Sequence, residues 1–276
     1  MAADTIFRCR RALLKKKTFM LREETVFGPI FSRRLGSSLG INLLPEKGKI
    51  CNFDCIYCEC GWNRDGRDDT VLPTAAKVRG DLERMLKKLA AANTPVDSIT
   101  FSGDGEPTIN PEFPQIIDDT LRLRDEYYPQ AKVSVLSNAT RVHIPEVFNA
   151  LRKVDNPIMK IDAPTNALVE LINQPASGYD VGRVVEALKA FNGDFVLQTC
   201  MLRYDRFDSA KPEVIDGMLE IVRLLHPREW MVYTIDRPTP MLGLQKFLPQ
   251  EMKRLVQPII DEGFTKVQIK GAVEDC

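Results

Sequence analysis

Four cysteines lie within ten consecutive positions of the chain, in the segment ICNFDCIYCECGW that spans residues 50–62. Cys51, Cys55 and Cys58 have the spacing Cys-x3-Cys-x2-Cys, and Cys60 follows after one further residue. The chain has seven cysteines, an odd number that does not suggest a framework of paired disulfides. In a reducing compartment, thiols this close together more often bind a metal. With only two histidines in the chain, a histidine-based site is not expected.

Two closed metal sites compete for these thiols. A structural zinc site usually has four ligands arranged as two separated Cys-x2-Cys pairs, and this segment has one such pair. The single residue between Cys58 and Cys60 makes a tetrahedral arrangement awkward. A closed [4Fe–4S] site needs a fourth cysteine, commonly more distant and often followed by Pro, and Cys9, Cys200 and Cys276 lack that context.

The third interpretation is a [4Fe–4S] cluster with three thiolate ligands and one open iron. An open coordination position is typical of catalytic rather than structural metal sites. The residues alone leave these three interpretations open.

The elements that must position this segment alternate between short apolar runs and helical patterns. Seven runs predict strands: Leu39–Leu44, Asp97–Phe101, Lys132–Leu136, Pro157–Ile161, Asp194–Thr199, Glu229–Ile235 and a weaker Lys266–Ile269. Six segments, several of which open on Pro or Thr, predict helices: Thr74–Ala92, Pro111–Tyr127, Pro145–Leu151, Tyr179–Phe191, Lys211–Leu225 and Pro249–Glu262.

Repeated strand–helix alternation implies parallel strands joined by right-handed crossovers. Near-continuous apolar runs such as FVLQTCM indicate strands that are covered on both faces. We predict an α/β fold, a partial (β/α)6 barrel, with one domain over residues 27–276 and an N-terminal extension over residues 1–26. The cysteine segment follows the first predicted strand, where parallel α/β folds place their functional loops.

The cysteine spacing resembles the signature of the radical S-adenosylmethionine (SAM) enzymes, with Tyr57 at the aromatic position before the third cysteine. The segment TFSGDGEPT, residues 100–108, resembles the Gly-Gly-Glu-Pro motif of that family, with Asp104 in place of the first Gly. This resemblance implies a radical SAM barrel that holds SAM and a [4Fe–4S] cluster. The predicted cluster ligands are Cys51, Cys55 and Cys58, and Cys60 is predicted as a neighbouring thiol that is not a ligand. The resemblance also implies that Gly103, Asp104, Gly105 and Glu106 surround the methionine amino group of SAM.

Further strand ends fit the same family template. Ser137 and Asn138 end the third predicted strand, where the family often contacts the SAM carboxylate or ribose. Asp162 ends the fourth strand and is suited to hydrogen-bonding the ribose hydroxyls, although it could equally cap a turn. Gln198 and Tyr233 lie on the fifth and sixth strands, near the expected adenine, and Tyr233 could also be a core residue.

The resemblance implies a radical SAM enzyme. One electron from the reduced cluster would cleave a C–S bond of SAM, and the resulting 5′-deoxyadenosyl radical would remove hydrogen from a substrate. Whether the overall reaction is that of an oxidoreductase, a transferase or a lyase stays open. We expect reduced flavodoxin or ferredoxin as the electron donor. The alternative is a non-catalytic iron–sulfur or zinc protein that acts in electron transfer or binds nucleic acid or a partner.

A narrower resemblance covers roughly residues 27–240. The segments FGPIFSRRLGSSLGINLLP, SGDGEPT, KIDAP and YTIDRP together resemble compact radical SAM proteins related to the catalytic domain of the wybutosine-synthesising enzyme of tRNA modification. The substrate could therefore be a tRNA base, but a small molecule or a peptide fits as well. Candidate substrate contacts are Arg33, Arg34, Lys160, Asp236 and Arg237.

Composition excludes several other classes of protein. The chain has 276 residues, 44% of them hydrophobic and 28% charged, as expected of a soluble globular protein. Its formal net charge is zero, so no long-range field favours nucleic acid or membrane. No apolar run approaches the roughly 20 residues of a membrane span, and we expect a cytoplasmic protein. The basic segment Arg8–Lys17 could contact phosphates, but its interleaved apolar residues favour an amphipathic helix.

Overall fold

The computed structural model describes residues 21–22, 24–32, 35–66 and 69–271. Its strands are β1 (Val26–Ser32), β2 (Gly36–Ile41), β3 (Ser98–Phe101), β4 (Lys132–Ser137), β5 (Asn156–Lys160), β6 (Val196–Tyr204), β7 (Phe207–Asp208), β8 (Glu229–Thr234), β9 (Gln245–Lys246) and β10 (Lys266–Lys270). Its helices are α1 (Ala75–Ala91), α2 (Phe113–Tyr127), α3 (Pro145–Leu151), α4 (Asn166–Ile172), α5 (Val181–Leu188), α6 (Pro212–Leu225) and α7 (Pro249–Glu262).

One sheet runs through the molecule in the order β1-β2-β3-β4-β5-β6-β8-β10. All neighbours from β2 to β10 are parallel, and β1 pairs antiparallel with β2. The short strands β7 and β9 pair antiparallel with β6, beyond its parallel ladder. Among the strands that the structure describes, β1 and β10 are the edges, so the barrel is open between them. This architecture confirms the predicted α/β fold with a partial barrel.

The core lies on both faces of the sheet, as the apolar runs predict. All four residues of β3 are buried, as are the first seven of β6. Each long helix turns one apolar face inward; α1, for example, buries Val78, Leu82 and Leu86. Trp230 on β8 is fully buried, and its Nε1 donates to Thr199 Oγ1 at 3.0 Å.

The predicted elements have the correct type, but several bounds differ. The first parallel strand ends at Ile41 rather than Leu44. Strand β6 continues to Tyr204 because it pairs there with β7 and β9. Helix α5 starts at Val181 because the Asp180 carboxylate accepts a hydrogen bond from Arg183 N at 2.8 Å and caps it.

Four of these elements were not predicted, and two of them, β7 and β9, are strands of only two residues. Strand β1 has half-exposed positions and an irregular register between Phe27 and Ile30, so its apolar pattern is weak. Helix α4 has only seven residues, too few for a periodic pattern. The described residues do not include the basic segment Arg8–Lys17 or most of the predicted extension. They also do not include Arg33 and Arg34. No helix in the described part of the chain is long and apolar enough to cross a bilayer.

Candidate functional site

The cysteine loop, residues 50–62, follows β2 and crosses the carboxyl edge of the sheet. Its first residue, Ile50, bridges to Gly105 in the loop after β3. Ile50 N donates to Asp104 O at 3.1 Å, and Glu106 N donates to Ile50 O at 3.1 Å. Gly105 has φ +145°, and a Cβ there would lie 1.8 Å from Ile50 O. The glycine of this motif is therefore required because the cysteine loop passes directly over it.

Two of the three predicted ligand thiols accept hydrogen bonds from asparagine side chains of other loops. Cys51 Sγ lies 3.8 Å from Asn138 Nδ2 and also accepts from Phe53 N at 3.4 Å. Cys55 Sγ accepts from Asn173 Nδ2 at 3.3 Å. Amide donors of this kind stabilise the thiolate form that binds iron and fix the direction of the sulfur.

The protonation of the thiols follows their surroundings. Burial raises the pKa of Cys51, and burial raises the pKa of Cys55 to about 11. The pKa of Cys58 is lowered, first because the Cys60 thiol hydrogen-bonds to it and further because Lys49 lies nearby. The same hydrogen bond raises the pKa of Cys60. The predicted ligand Cys58 is thus the thiol that ionises most readily in the loop.

The described part of the cysteine loop does not form a site for a single metal ion. Among the described residues, no three His, Cys, Asp or Glu side chains are placed to hold one metal ion. In an iron–sulfur cluster, each cysteine binds a different iron, so the thiols need not meet at one point.

The loops after β3 and β4 are joined by what we call the glutamate network: Glu106, Thr108, Ser137 and Asn138. Glu106 Oε1 accepts from Thr108 Oγ1 at 2.6 Å and from Ser137 Oγ at 2.8 Å. Glu106 Oε2 accepts from Asn138 N at 2.7 Å. Burial raises the pKa of Glu106, and these hydrogen bonds oppose that shift. Glu106 and Ser137 were both predicted as SAM contacts. In the structure they hydrogen-bond to each other and hold the ends of β3 and β4 together.

Asn138 connects the glutamate network to the cysteine loop. Besides its contact with Cys51, its Nδ2 donates to Asn52 Oδ1 at 2.6 Å. Asn52 Nδ2 donates in turn to Thr140 Oγ1. The structure thus places Asn138 at the predicted cluster, where its amide faces the first thiol.

A second set, the aspartate network, consists of Tyr57, Lys160, Asp162 and Asn173. The Asp162 side chain is 0% exposed. Its Oδ1 accepts from Cys200 N at 2.8 Å, and its Oδ2 accepts from Tyr57 Oη and from Asn173 Nδ2, the latter at 2.7 Å. Both oxygens of Asp162 are thus bonded inside the protein, next to the amide that donates to Cys55.

Lys160 supplies the positive charge of the aspartate network. Its Nζ lies 3.4 Å from Asp162 Oδ2, donates to Tyr57 Oη, and lies 3.5 Å from Tyr233 Oη. Burial lowers the pKa of Lys160, but Asp162 and other neighbours raise it by more, so the amine keeps its proton. The structure therefore brings together four residues predicted from the sequence: Tyr57, Asp162, Lys160 and Tyr233.

Two predicted SAM contacts retain unused polar atoms. Among the described residues, neither Gln198 Nε2 nor Asp104 Oδ1 meets a hydrogen-bond partner, although both atoms are buried. A buried polar atom without a partner costs free energy, so these two positions suit a further bound group. Gln198 is paired in the sheet with Lys160, and Asp104 is adjacent to the Gly105 turn.

The loop after β8 also packs on the cysteine loop. Arg237 forms an ion pair with Glu59 at 2.6 Å, and Met241 N donates to Ile56 O at 3.2 Å. Asp236 precedes Arg237 in the same loop. The two predicted substrate contacts of this loop therefore lie beside the predicted cluster.

Sequence reasoning missed two polar residues of the site. Asn173 follows α4, and no motif marks it. Lys49 precedes the cysteine loop and its side chain is only 1% exposed; Nζ donates to Gly61 O and lies 3.4 Å from Asp54 Oδ1. Burial lowers the pKa of Lys49, but Cys58, Cys51 and Asp54 raise it by more, so this buried amine is charged. Only its position two residues before Cys51 could have indicated it.

Curated relatives match over most of the chain. A GTPase Obg of Brachyspira hyodysenteriae is 29% identical over 85% of this chain and 33% of its own length. A UPF0026 protein of Helicobacter pylori is 28% identical over 78% of this chain and 67% of its own. The chain thus spans one third of the first relative and two thirds of the second.

Solved structures share the fold. A radical SAM methyltransferase from Sphaerobacter thermophilus superposes with a TM-score of 0.66 at 15% identity, over 88% of this chain and 68% of its own. Streptococcus suis SuiB bound to S-adenosylmethionine superposes with a TM-score of 0.61 at 15% identity, over 98% of this chain and 56% of its own. An archaeal TYW1 superposes with a TM-score of 0.50 at 11% identity, over 82% of this chain and 71% of its own. These likenesses confirm the fold. The archaeal TYW1, related to the family that the sequence resembles, shares it as well.

The family model supplies the remaining comparison. The model described as the radical SAM superfamily matches residues 46–222, which include the cysteine loop, the glutamate network and the aspartate network. The match covers more than half of the chain, and the chain belongs to the radical SAM superfamily.

Proposed function

We propose that this protein is an enzyme that binds a [4Fe–4S] cluster through Cys51, Cys55 and Cys58 and uses it with SAM. The observation that carries the proposal is the cysteine loop itself. It presents these thiols at the carboxyl edge of a parallel sheet, and asparagines from other loops donate to two of them. Three thiolates leave one iron of a cluster open for a further ligand.

The residues present fit such a cluster. The thiols are soft ligands of the kind that iron–sulfur clusters require. Asn138 and Asn173 orient Cys51 and Cys55, and Lys49 adds a positive charge beneath the loop. When bound, the cluster and SAM supply one-electron cleavage of a sulfonium C–S bond, and hence a radical that removes hydrogen from a substrate.

SAM would lie over the same edge of the sheet, between the two networks. Gln198 Nε2 and Asp104 Oδ1, the buried atoms with unused capacity, are the groups we assign to it. Tyr233 lies beside Lys160 and offers an aromatic ring near the position expected for adenine. Glu106 and Ser137 act as positioning residues, because their bonds hold the loops that carry the cysteine contacts.

The substrate is proposed only by class. Lys160, Asp236 and Arg237 are polar or charged groups beside the site and suit a polar substrate, whether a small molecule, a peptide or a tRNA base. Related folds include SuiB, which has been solved bound to a precursor peptide, and the archaeal wybutosine enzyme. The electron donor we propose is reduced flavodoxin or ferredoxin.

Anaerobic reconstitution with iron and sulfide tests the proposal. We expect about four iron and four sulfide per chain, and formation of 5′-deoxyadenosine and methionine when SAM and a reductant are added. Stoichiometric zinc in place of iron would overturn the proposal. An assembled cluster that never cleaves SAM would favour the alternative of a non-catalytic iron–sulfur protein.

A further inference from the structure

Lys49 is a buried cation whose effect on the proposed cluster goes beyond the general fit described above. Its side chain is 1% exposed, although a lysine is almost never fully buried without a partner. Within the described part of the chain, one carboxylate forms an ion pair with it, Asp54, at 3.4 Å and 27% exposed. The side chains of Cys58, Cys51 and Cys60 also raise its pKa.

The backbone around Lys49 holds the amine in place. Lys49 N donates to Gly66 O at 2.6 Å, and a Cβ on Gly66 would lie 2.8 Å from Lys49 N. The Nζ donates to Gly61 O, the far end of the cysteine loop. The Nζ therefore lies between Asp54, which adjoins Cys55, and Gly61, which adjoins Cys60, and its charge is buried against the cysteine loop.

A charge buried beside a redox centre changes the energy of electron addition. A cluster with three thiolate ligands carries net negative charge, and reduction adds one more negative charge to a poorly solvated volume. A fixed cation nearby stabilises the reduced state more than the oxidised state, because Coulomb interactions are strong where water is excluded. Net charge and solvent exposure are among the factors that set cluster potentials.

We propose that Lys49 is a positioning residue that raises the reduction potential of the cluster bound by Cys51, Cys55 and Cys58, with Asp54 acting in the opposite direction. The inference rests on the proposed function, since it presupposes the cluster. We assign Lys49 no contact with substrate or SAM. Its effect passes through the charge that it holds under the cysteine loop.

The test is a potentiometric titration of the reconstituted full-length protein, followed by electron paramagnetic resonance of the reduced cluster. Lys49→Met removes the charge at similar volume, and we expect the equilibrium constant for reduction to fall at least about tenfold, which is 59 mV for one electron. Asp54→Asn removes a negative charge at the same shape, and the potential should rise, by less because Asp54 is partly exposed.

Two controls separate charge from structure. Lys49→Arg keeps the charge and should stay within about twofold of the wild type in the same equilibrium constant. Lys253→Met removes an exposed lysine of α7 and should leave the potential unchanged. A purely structural role of Lys49 predicts that Lys49→Met leaves the potential unchanged wherever it retains the cluster.

The outcomes are distinct. If Lys49→Met binds a cluster with the wild-type potential, the inference is wrong while the proposed function stands. If Lys49→Met cannot retain the cluster, Lys49→Gln decides, because its amide can still donate to Gly61 O: a lowered potential supports the inference, and an unchanged potential or a lost cluster overturns it. If the wild-type chain takes up no [4Fe–4S] cluster, the proposed function itself fails and the inference with it.

Discussion

Two asparagines from separate loops direct their amides at the cysteine loop. Asn138 faces Cys51, and Asn173 donates to both Cys55 and Asp162. A metal site is defined by such partners as much as by its ligands, since they fix the ligand orientation and charge. At the scale of single residues, the proposed cluster depends on neutral donors and one buried cation rather than on the thiols alone.

Whether Cys60 binds iron decides whether the proposed cluster has three thiolate ligands or four. Replacing Cys51, Cys55 or Cys58 with Ala should abolish cluster binding, because each removes one iron ligand. Cys60→Ala is the matched control: its Sγ faces Gly103 O at 3.6 Å, and we expect wild-type iron content. Iron and sulfide analysis after anaerobic reconstitution provides the measurement. Loss of iron in Cys60→Ala would contradict the three-ligand assignment.

Asp162 can act in two ways, and one variant distinguishes them. The ribose contact predicted from the sequence stays a prediction, but both oxygens are already bonded to Cys200 N, Tyr57 and Asn173. Asp162→Ala leaves Lys160 without its carboxylate, and removing one partner of a buried pair costs about 3–5 kcal/mol. Because the Lys160 side chain is 18% exposed, we expect the lower end of that range.

Urea unfolding and SAM affinity, measured on the same Asp162→Ala preparation, distinguish the two roles. A positioning role predicts a lowered free energy of unfolding and weaker iron retention. Weakened SAM binding with unchanged stability and iron content would instead support the ribose contact. Asp162→Asn should be milder in either case, since it retains one acceptor.

At the scale of elements, strand ends and the loops that follow them build the site. The cysteine loop follows β2, the Gly105 turn follows β3, and Asn138 follows β4. The β-bridge between Ile50 and Gly105 brings the backbones of the cysteine loop and the Gly105 turn into direct contact. The parallel register of neighbouring strands therefore determines which polar side chains meet.

Gly105→Ala tests the contact between the cysteine loop and the β3 turn. The added Cβ would lie 1.8 Å from Ile50 O, and φ +145° is unfavourable for a residue with a side chain. We expect a cost of about 1–3 kcal/mol from the backbone alone, and displacement of the loop with loss of iron. Gly263→Ala is the control, because Gly263 has φ +68° with nothing within 4 Å. Comparable iron loss in both variants would contradict the argument.

The elements and the site differ in how far sequence predicts them. The parallel strands and their helices follow from apolar runs and periodicity, and the ligand cysteines from spacing. Strand β1 and helix α4 have patterns too weak or too short to detect. Asn173 and Lys49 act only through tertiary contacts: Asn173 meets Cys55 across 118 positions of the chain, a distance that local patterns do not encode.

At the scale of the whole molecule, one hydrophobic core extends from the strands and helices to the cysteine loop, where it includes Phe53, Cys55 and Ile56. Trp230 is fully buried in β8, and its indole donates to Thr199 rather than to a residue of the cysteine loop. A substitution at Trp230 is therefore expected to change stability while the thiols keep their contacts. A core substitution provides the contrast to the site variants above.

Trp230→Phe should destabilise the fold and leave the cluster intact. The smaller ring leaves a cavity and removes the hydrogen bond to Thr199 Oγ1, for a combined cost of about 2 kcal/mol. Thr199 Oγ1 still donates to Ile161 O at 2.8 Å, so the hydroxyl keeps a partner. Urea unfolding measures the loss, and unchanged iron content is the control. Wild-type stability would contradict the argument.

The cysteine loop takes its shape from residues far along the chain. Asn138 lies 87 positions from Cys51, and Asn173 lies 118 positions from Cys55. These partners can meet the loop only once β3, β4 and β5 have assembled, so we expect the proposed cluster to be inserted into a chain that has already folded. In zinc fingers, by contrast, the metal drives folding. Protein made without iron should therefore show the circular dichroism of the loaded form and accept a cluster later without refolding; an unfolded iron-free chain would contradict this order of events.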